Sequence, residues 1–96
     1  ILRPTRLGML TEGPTEREAA LVSQHFEYLR NLTEQGVMVL VGRTLNNDEN
    51  TIGLAIFRAS SDEAARAIME NDPAVVNQVM SATLYPYRIA LMAKST

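Results

Sequence analysis

The sequence contains no cysteine and only one histidine, His25. Without cysteine the chain can form no disulfide, no thiolate nucleophile and no thiolate metal site, which fits a reducing compartment. A single histidine without cysteine partners is not a zinc-binding pattern. The five methionines are scattered along the chain and are expected to fill the core rather than to bind metal. No metal site is therefore predicted.

Long apolar runs and nucleotide-binding motifs are also missing. No run approaches the roughly 20 apolar residues that a membrane helix requires, and no signal-like segment opens the sequence. Glycine-rich dinucleotide, P-loop and nucleophile-elbow motifs are absent. The net charge of −2 provides no attraction to nucleic acid or to an anionic membrane. We expect a cytoplasmic protein with no cofactor and with neither of these partners.

The composition is that of a small globular protein. Of the 96 residues, 46% are hydrophobic and 21% are charged, far from the composition of a disordered chain. No repeat or linker divides the sequence, so we predict a single domain over residues 1–96. A domain of this size leaves much of its surface exposed, and oligomerisation would add burial.

The clearest predicted helix covers residues 15–35. Apolar residues recur there at spacings of three and four, which places them on one helical face: Leu21, Val22, Phe26, Leu29 and Leu32. Thr15 and Glu18 form a capping-box signature at its start, and Gly36 is a typical stop signal.

A second helix is predicted from Ser61 or Asp62 to about Asn71. Ser60 and Glu63 suggest another capping box, and Pro73 ends the helix because the residue before a proline avoids helical backbone angles. The apolar face consists of Ala64, Ala65, Ile68 and Met69.

Three short apolar runs predict strands, at residues 37–42, 52–58 and 87–93. The Asn/Asp-rich residues 46–50 between the first two indicate an antiparallel hairpin. Residues 1–3 are expected to belong to an opening strand. The order of elements, βαββαβ, is the ferredoxin-like pattern of the α+β class, with a four-stranded antiparallel sheet and two main helices on one face.

Both faces of the predicted sheet are apolar. Along the strands the two alternating sets are largely hydrophobic: Val37, Val39 and Val41 against Met38 and Leu40, then Ile52, Leu54 and Ile56 against Ala55 and Phe57. Two helices can cover only one face, so the second face needs a cover that the chain itself does not provide. Face-to-face packing with a second copy, giving a homodimer, is the simplest solution.

His25 and Asp72 are the candidate catalytic residues. On a helical wheel His25 falls between Leu29 and Leu32, so it is either a core histidine with a backbone partner or a general acid/base. Asp72 precedes Pro73 and suits the N-cap of a third short helix over residues 74–80. It could also orient the His25 imidazole and stabilise its cation, and the two roles are compatible.

Four further residues are candidates for binding a small substrate. Arg3, Arg6 and Arg43 could hold a carboxylate or phosphate in bidentate fashion, although solvated surface arginines are commoner. Tyr85, at the start of the last predicted strand, could donate a hydrogen bond or simply pack.

Several segments together carry a family resemblance. They are TEREAALVSQHFEYL leading to Gly36, VLVG at 39–42, the strand around Gly53, DEAARA at 62–67, NDPAV at 71–75 and YPYR at 85–88. Over essentially its whole length the chain resembles the YciI-like (YCII-related) proteins, members of the dimeric α/β-barrel group.

The resemblance implies a ferredoxin-like protomer that dimerises through its sheet, with His25 and Asp72 in an active-site cleft. It also implies that the chain begins partway through its first strand. One relative is a dehydrochlorinase acting on a chlorinated hydroxyhydroquinone, a precedent for acid/base elimination. The sequence departs from the family in having Arg43 where proline is frequent and Tyr85 where histidine is common.

Two functions of different classes remain open at this stage. The chain is either a cofactor-independent enzyme that uses His25 and Asp72 in lyase, isomerase or hydrolase chemistry on a small molecule, or a non-catalytic dimer. Such a dimer would bind a small ligand, or serve as a regulatory or interaction module, in the same cleft. A haem- or oxygen-using monooxygenase is a third interpretation, because a lone histidine can be an axial ligand.

Overall fold

The architecture is a four-stranded antiparallel sheet combined with four helices. A computed structural model describes residues 1–94, so the last two residues of the predicted domain lie outside the described part. The elements are β1 (Leu2–Pro4), α1 (Gly8–Thr11), α2 (Glu16–Glu34), β2 (Met38–Arg43), β3 (Gly53–Phe57), α3 (Asp62–Glu70), α4 (Pro73–Val76) and β4 (Met80–Ala82).

The strand order is β2-β3-β1-β4, and every neighbouring pair is antiparallel. The predicted α+β class with its four-stranded antiparallel sheet is confirmed, and the element order is consistent with the ferredoxin-like pattern. The predicted hairpin over residues 37–58 is also confirmed, since β2 and β3 pair directly. The pairing shifts register between Met38 and Leu40, at a bulge in β2.

Helix α2 begins and ends as its sequence predicts. The Thr15 side chain accepts a hydrogen bond from the Glu18 backbone at 3.1 Å, and the Glu18 carboxylate accepts one from the Thr15 backbone at 2.9 Å. This reciprocal capping box satisfies two backbone donors that a helix start leaves unpaired. Gly36 follows the helix with a φ of +77°, a backbone conformation that glycine adopts without steric cost.

The prediction for the last strand was wrong. The fourth strand is Met80–Ala82, whereas residues 87–93 lie outside the sheet. The helix predicted over residues 74–80 is a single turn, Pro73–Val76. Gln78 then adopts a φ of +61°, in the left-handed region of backbone conformations. Strand β4 begins two residues later and pairs with β1.

Three smaller differences concern the helices. Ser61, not Ser60, caps α3, because its hydroxyl accepts a hydrogen bond from the Ala64 backbone at 3.0 Å. Phe26 stands at the edge of the apolar face of α2 and is 60% exposed. The one-turn helix α1 was not predicted, since four residues are too few to show a hydrophobic period.

The apolar core is small and lies where β1 and β2 meet α2 and α4. Its buried members are Leu2, Met9, Leu29, Met38, Ala74 and Val79. Helix α2 packs against β2 and α4, whereas α3 has no fully buried residue. A wide cleft is left open beside α3 and the sheet.

Candidate active site

Asp72 is held in place by the start of α4. Its backbone is extended, and its Oδ1 atom accepts a hydrogen bond from the Ala74 backbone at 2.9 Å. Pro73 occupies the first helical position, where the missing N–H costs nothing. The N-cap thus occupies one carboxylate oxygen of Asp72 and leaves Oδ2 for another partner.

That partner is His25, from the middle of α2. The Nδ1 atom of His25 lies 2.6 Å from Oδ2 of Asp72, and the two residues are 47 positions apart in sequence. The side chains are 12% and 5% exposed, respectively. An ionised carboxylate can only accept, so the Nδ1 atom carries the proton in this bond. A neutral imidazole in that tautomer has its lone pair on Nε2, the form that can accept a proton.

The described residues give the Nε2 atom of His25 no hydrogen-bond partner. Among residues 1–94, every buried side-chain nitrogen or oxygen has a hydrogen-bond partner. The hydrogen bond described for the His25 side chain is the one made by Nδ1. Nε2 is therefore not fully buried, while the His25 side chain as a whole is 12% exposed. A buried histidine with main-chain partners on both ring nitrogens would argue against acid/base chemistry. Among the described residues, the partner of His25 is instead the Asp72 side chain.

Tyr28 supports the same arrangement and was missed by the sequence analysis. Its hydroxyl donates a 2.7 Å hydrogen bond to the backbone carbonyl of Ile68, near the end of α3. Burial, and then the negative charge of Asp72, raise the pKa of Tyr28 above its ordinary value. Tyr28 follows His25 by three residues on the same helix, so the i, i+3 spacing was a signal that could have revealed it.

A second hydrogen bond holds the end of α4 against α2. The Arg17 guanidinium donates a 3.0 Å hydrogen bond to the backbone carbonyl of Asn77, immediately after α4. Together with the Tyr28 bond, it anchors the segment on both sides of Asp72 to α2. The geometry of His25 and Asp72 is therefore fixed by neighbouring contacts and not by their own bond alone.

The cleft has a volume of about 960 Å³ and lies between β2, β3, α3 and the chain that follows β4. Asp72 and Tyr85 both line the cleft, whereas His25 does not. Most of the lining is apolar, from Leu54 and Ile56 of β3 to Ile68 and Met69 of α3. Arg58, which the sequence analysis did not single out, adds a positive charge.

The three arginines named as substrate-binding candidates lie elsewhere. Arg3 lines a separate hollow of about 190 Å³ beside Asp48. Arg6 is engaged with the Glu18 carboxylate, and Arg43 donates to the Asn47 side chain and to the Thr44 carbonyl. Of the sequence-predicted residues, the structure thus brings together His25 and Asp72 and places Tyr85 on the same cleft as Asp72.

Arg6, which precedes α1, and Glu18 of α2 form a second close charged pair. The guanidinium donates through Nε at 2.9 Å and through Nη2 at 2.6 Å to the two carboxylate oxygens. The Arg6 hydrogen bonds, followed by the Thr15 backbone N–H, lower the pKa of Glu18 to about 2. The same contact raises the pKa of Arg6. Both carboxylate oxygens of Glu18 are engaged by Arg6, and one of them also accepts from the Thr15 backbone, so the pair stabilises the fold.

The described residues provide no set of three or more acidic, histidine or cysteine side chains positioned to hold a metal ion. No helix within residues 1–94 has both the length and the apolar character needed to cross a membrane.

The chain belongs to the YCII-related family, because the model of the YCII-related domain matches residues 3–86. The family resemblance inferred from the sequence is thereby confirmed. The match includes His25, Asp72 and Tyr85 and ends before the apolar residues 87–93. Comparison with curated proteins and with solved structures gives no match.

Proposed function

We propose that the protein is a cofactor-independent enzyme that performs acid/base chemistry on a small molecule. The observation that carries this proposal is the 2.6 Å hydrogen bond between His25 Nδ1 and Asp72 Oδ2. The other carboxylate oxygen of Asp72, Oδ1, is held by the backbone N–H of Ala74 at the start of α4. In this role His25 Nε2 takes a proton from the substrate or returns one to it. Asp72 orients the ring and stabilises the imidazolium that forms.

The cleft suggests the class of substrate. Its volume of about 960 Å³ is in the range of small-molecule sites, and its apolar lining beside Tyr85 suits a compact, partly hydrophobic compound. Arg58 on the same cleft is the cation that would bind an anionic or phenolic group of that compound, while the Asp62 and Asp72 carboxylates, which also line the cleft, oppose a second negative charge. Lyase, isomerase and hydrolase reactions of the acid/base type all include proton transfers of the kind that a histidine performs.

A metabolite screen by thermal shift, followed by an assay of each stabilising compound for conversion, tests the proposal. A ligand at about 100 times its dissociation constant stabilises the folded state by roughly 2.7 kcal/mol, which a melting curve detects readily. We expect at least one small anionic or phenolic compound to bind and to be converted. Binding compounds that all remain unchanged over long incubation would contradict the proposed activity.

A non-catalytic ligand-binding protein is the second candidate. The observation in its favour is that Asp72 lines the cleft whereas His25 does not. A ligand in the cleft could then be held without meeting the imidazole. In that case His25→Asn would bind every ligand found in the screen as tightly as the unmodified protein does, and no compound would be converted.

We also propose that the protein works as a homodimer whose sheets face each other. Leu40 pairs with Ile56, and Leu54 lies two residues along the same strand, so the three share one face of the sheet. Leu40 is 52% exposed and Leu54 is 38% exposed. Contiguous exposed apolar surface of this kind is typical of interfaces. Light scattering at micromolar concentration should give twice the monomer mass, and a persistent monomer would contradict the proposed dimer.

A further inference from the structure

The cleft runs along the whole length of α3. Four of the nine helical residues line it, and their spacing places them on one helical face: Asp62, Ala65, Ile68 and Met69. The lining continues to Arg58, which precedes the helix, and to Asp72, which follows it. At a rise of about 1.5 Å per residue, the nine residues give α3 a length of roughly 13 Å. Arg58 and Asp72 therefore lie at opposite ends of one elongated cleft.

Arg58 is the cationic side chain of this cleft. Among the lining residues that the structure describes, it is the one lysine or arginine. The ion pairs within residues 1–94 join carboxylates to Arg6, His25 and Arg30, and none of them includes Arg58. Arg17, by contrast, is engaged with a backbone carbonyl. In this part of the chain the Arg58 guanidinium thus keeps its donors for a ligand.

The middle of the cleft is apolar. Helix α3 contributes Ala65, Ile68 and Met69 to its wall, and β3 contributes Phe57. These residue types are common in protein cores, yet all four side chains are only half-buried. An apolar ligand body in this position would remove their surface from water, which is favourable in proportion to the area covered. The cleft therefore suits a ligand that is apolar between its two ends.

The charges near Arg58 select the anionic group of the ligand. A carboxylate matches the guanidinium through two parallel hydrogen bonds. Asp62 lines the cleft four residues after Arg58, and no ion pair joins these two side chains within residues 1–94. The Asp62 carboxylate repels a second negative charge and so disfavours a dianionic phosphate. A single carboxylate is the group that fits this end of the cleft best.

We infer that Arg58 binds the carboxylate of an elongated monocarboxylic acid, whose apolar body lies along α3 and whose far end reaches Asp72. The inference rests on the proposed function and names the class of substrate. Arg58 selects for charge. The length of α3 selects for reach, because a short acid bound at Arg58 does not extend to Asp72. His25, hydrogen-bonded to Asp72, then acts at the end of the substrate opposite to its carboxylate.

The matched variants Arg58→Gln and Arg66→Gln test the carboxylate site. Both remove one positive charge from an exposed arginine, but Arg66 lies on α3 away from the cleft. The probe is 4-hydroxycinnamate, which has one carboxylate, an apolar body and a polar far end, and equilibrium dialysis measures its binding. We expect Arg58→Gln to bind it about 10- to 100-fold more weakly, because charge-assisted hydrogen bonds are lost. Arg66→Gln should bind it like the unmodified protein. Equal binding by Arg58→Gln and the unmodified protein, or no binding by the latter at millimolar concentration, would overturn the inference.

Two further probes separate charge from length. The neutral amide of 4-hydroxycinnamate keeps the shape without the anion, and benzoate keeps the anion without the length. We expect each to bind the unmodified protein at least about 10-fold more weakly than 4-hydroxycinnamate, and the amide to bind Arg58→Gln and the unmodified protein equally. An amide as tight as the acid would overturn the carboxylate site, and benzoate as tight as the longer acid would overturn the span to Asp72.

These measurements report binding and not conversion, so they distinguish this inference from the proposed function. A screen that finds no converted compound would contradict the proposed activity and leave the Arg58 site standing. A converted compound that Arg58→Gln binds as tightly as the unmodified protein would overturn the Arg58 site and leave the proposed activity standing.

Discussion

Glu18 and His25 of helix α2 each pair with a charged residue outside the helix, and the two pairs differ in which polar atoms they leave available. Near the start of α2, the Arg6 guanidinium and the Glu18 carboxylate occupy each other and the capping box. In its middle, His25 and Asp72 are joined by one short bond, and the N-cap of α4 takes the other Asp72 oxygen. The first pair is complete in itself. The second leaves the Nε2 atom of His25 without a partner among the described residues and orients the ring, as proton transfer requires.

This contrast shows why burial and a charged partner are insufficient signs of function. Glu18 is 8% exposed, and its pKa is lowered to about 2. A carboxylate ionised at every physiological pH neither takes nor gives a proton, so that pair stabilises the fold and nothing more.

Replacing His25 should have the largest effect. His25→Asn retains a polar side chain that can donate to Asp72 but cannot titrate near neutral pH. We expect the turnover of a substrate found in the screen to fall on the order of 10²- to 10⁴-fold, with the fold and the dimer retained. Steady-state kinetics, with circular dichroism as the control for folding, provide the measurement. Full turnover by His25→Asn would refute the catalytic role.

Two variants at Asp72 separate its functions. Asp72→Asn keeps an oxygen acceptor for the Ala74 N–H but removes the charge that would stabilise an imidazolium, so turnover should fall while stability changes little. Asp72→Ala loses the cap as well and should lower the free energy of unfolding by about 1 kcal/mol more. Urea denaturation measures this difference. If both variants lose stability equally, the Asp72 cap contributes nothing beyond the charge.

Removing the Tyr28 hydroxyl should have a smaller effect. In Tyr28→Phe the Ile68 carbonyl loses its 2.7 Å donor, which should lower the free energy of unfolding by about 0.5–1.5 kcal/mol. If Tyr28 also helps to hold Asp72 against His25, turnover should fall at unchanged substrate affinity. Tyr85→Phe is a useful comparison, because the Tyr85 side chain is 61% exposed and its hydroxyl should contribute little to stability. Indistinguishable unfolding of Tyr28→Phe and the parent protein would show that the bond is not significant.

The Arg6–Glu18 pair should make the stability depend on pH only in acid. The pKa of Glu18 is about 2 in the folded chain against about 4.5 for an unperturbed glutamate. Its stabilising contribution is therefore complete above pH 4.5 and is lost as the pH falls from 4.5 towards 2. Glu18→Gln can keep the capping box while removing the charge. Its unfolding free energy should depend less steeply on pH in that window, and identical pH profiles would contradict the assignment.

The parts of the molecule that were predicted from sequence depend on local signals. Thr15, Glu18 and Gly36 mark the ends of α2 because capping and left-handed backbone are decided by a few adjacent residues. Asp72 before Pro73 indicated the start of α4 for the same reason. The hairpin of β2 and β3 followed from two apolar runs and the polar turn between them.

The parts that were missed depend on contacts distant in sequence. Nothing near Arg6 indicates that its partner is Glu18, and the Tyr28 bond to Ile68 spans 40 positions. The last strand was misplaced because residues 87–93 form the stronger apolar run, yet β1 pairs with the weaker segment that emerges next to it from α4. A strand-like pattern thus identifies a segment that can pair, while the topology decides which partner it meets.

The central claim is that Asp72 fixes the His25 ring with the proton on Nδ1 and the lone pair on Nε2. Since the chain has one histidine, a two-bond proton–nitrogen correlation spectrum of uniformly nitrogen-15-labelled protein reports this ring without assignment ambiguity. In the neutral form of the ring we predict a protonated Nδ1 and an unprotonated Nε2, with this preference lost in Asp72→Ala. A ring protonated on Nε2 in the unmodified protein, or the same tautomer in both proteins, would contradict the account.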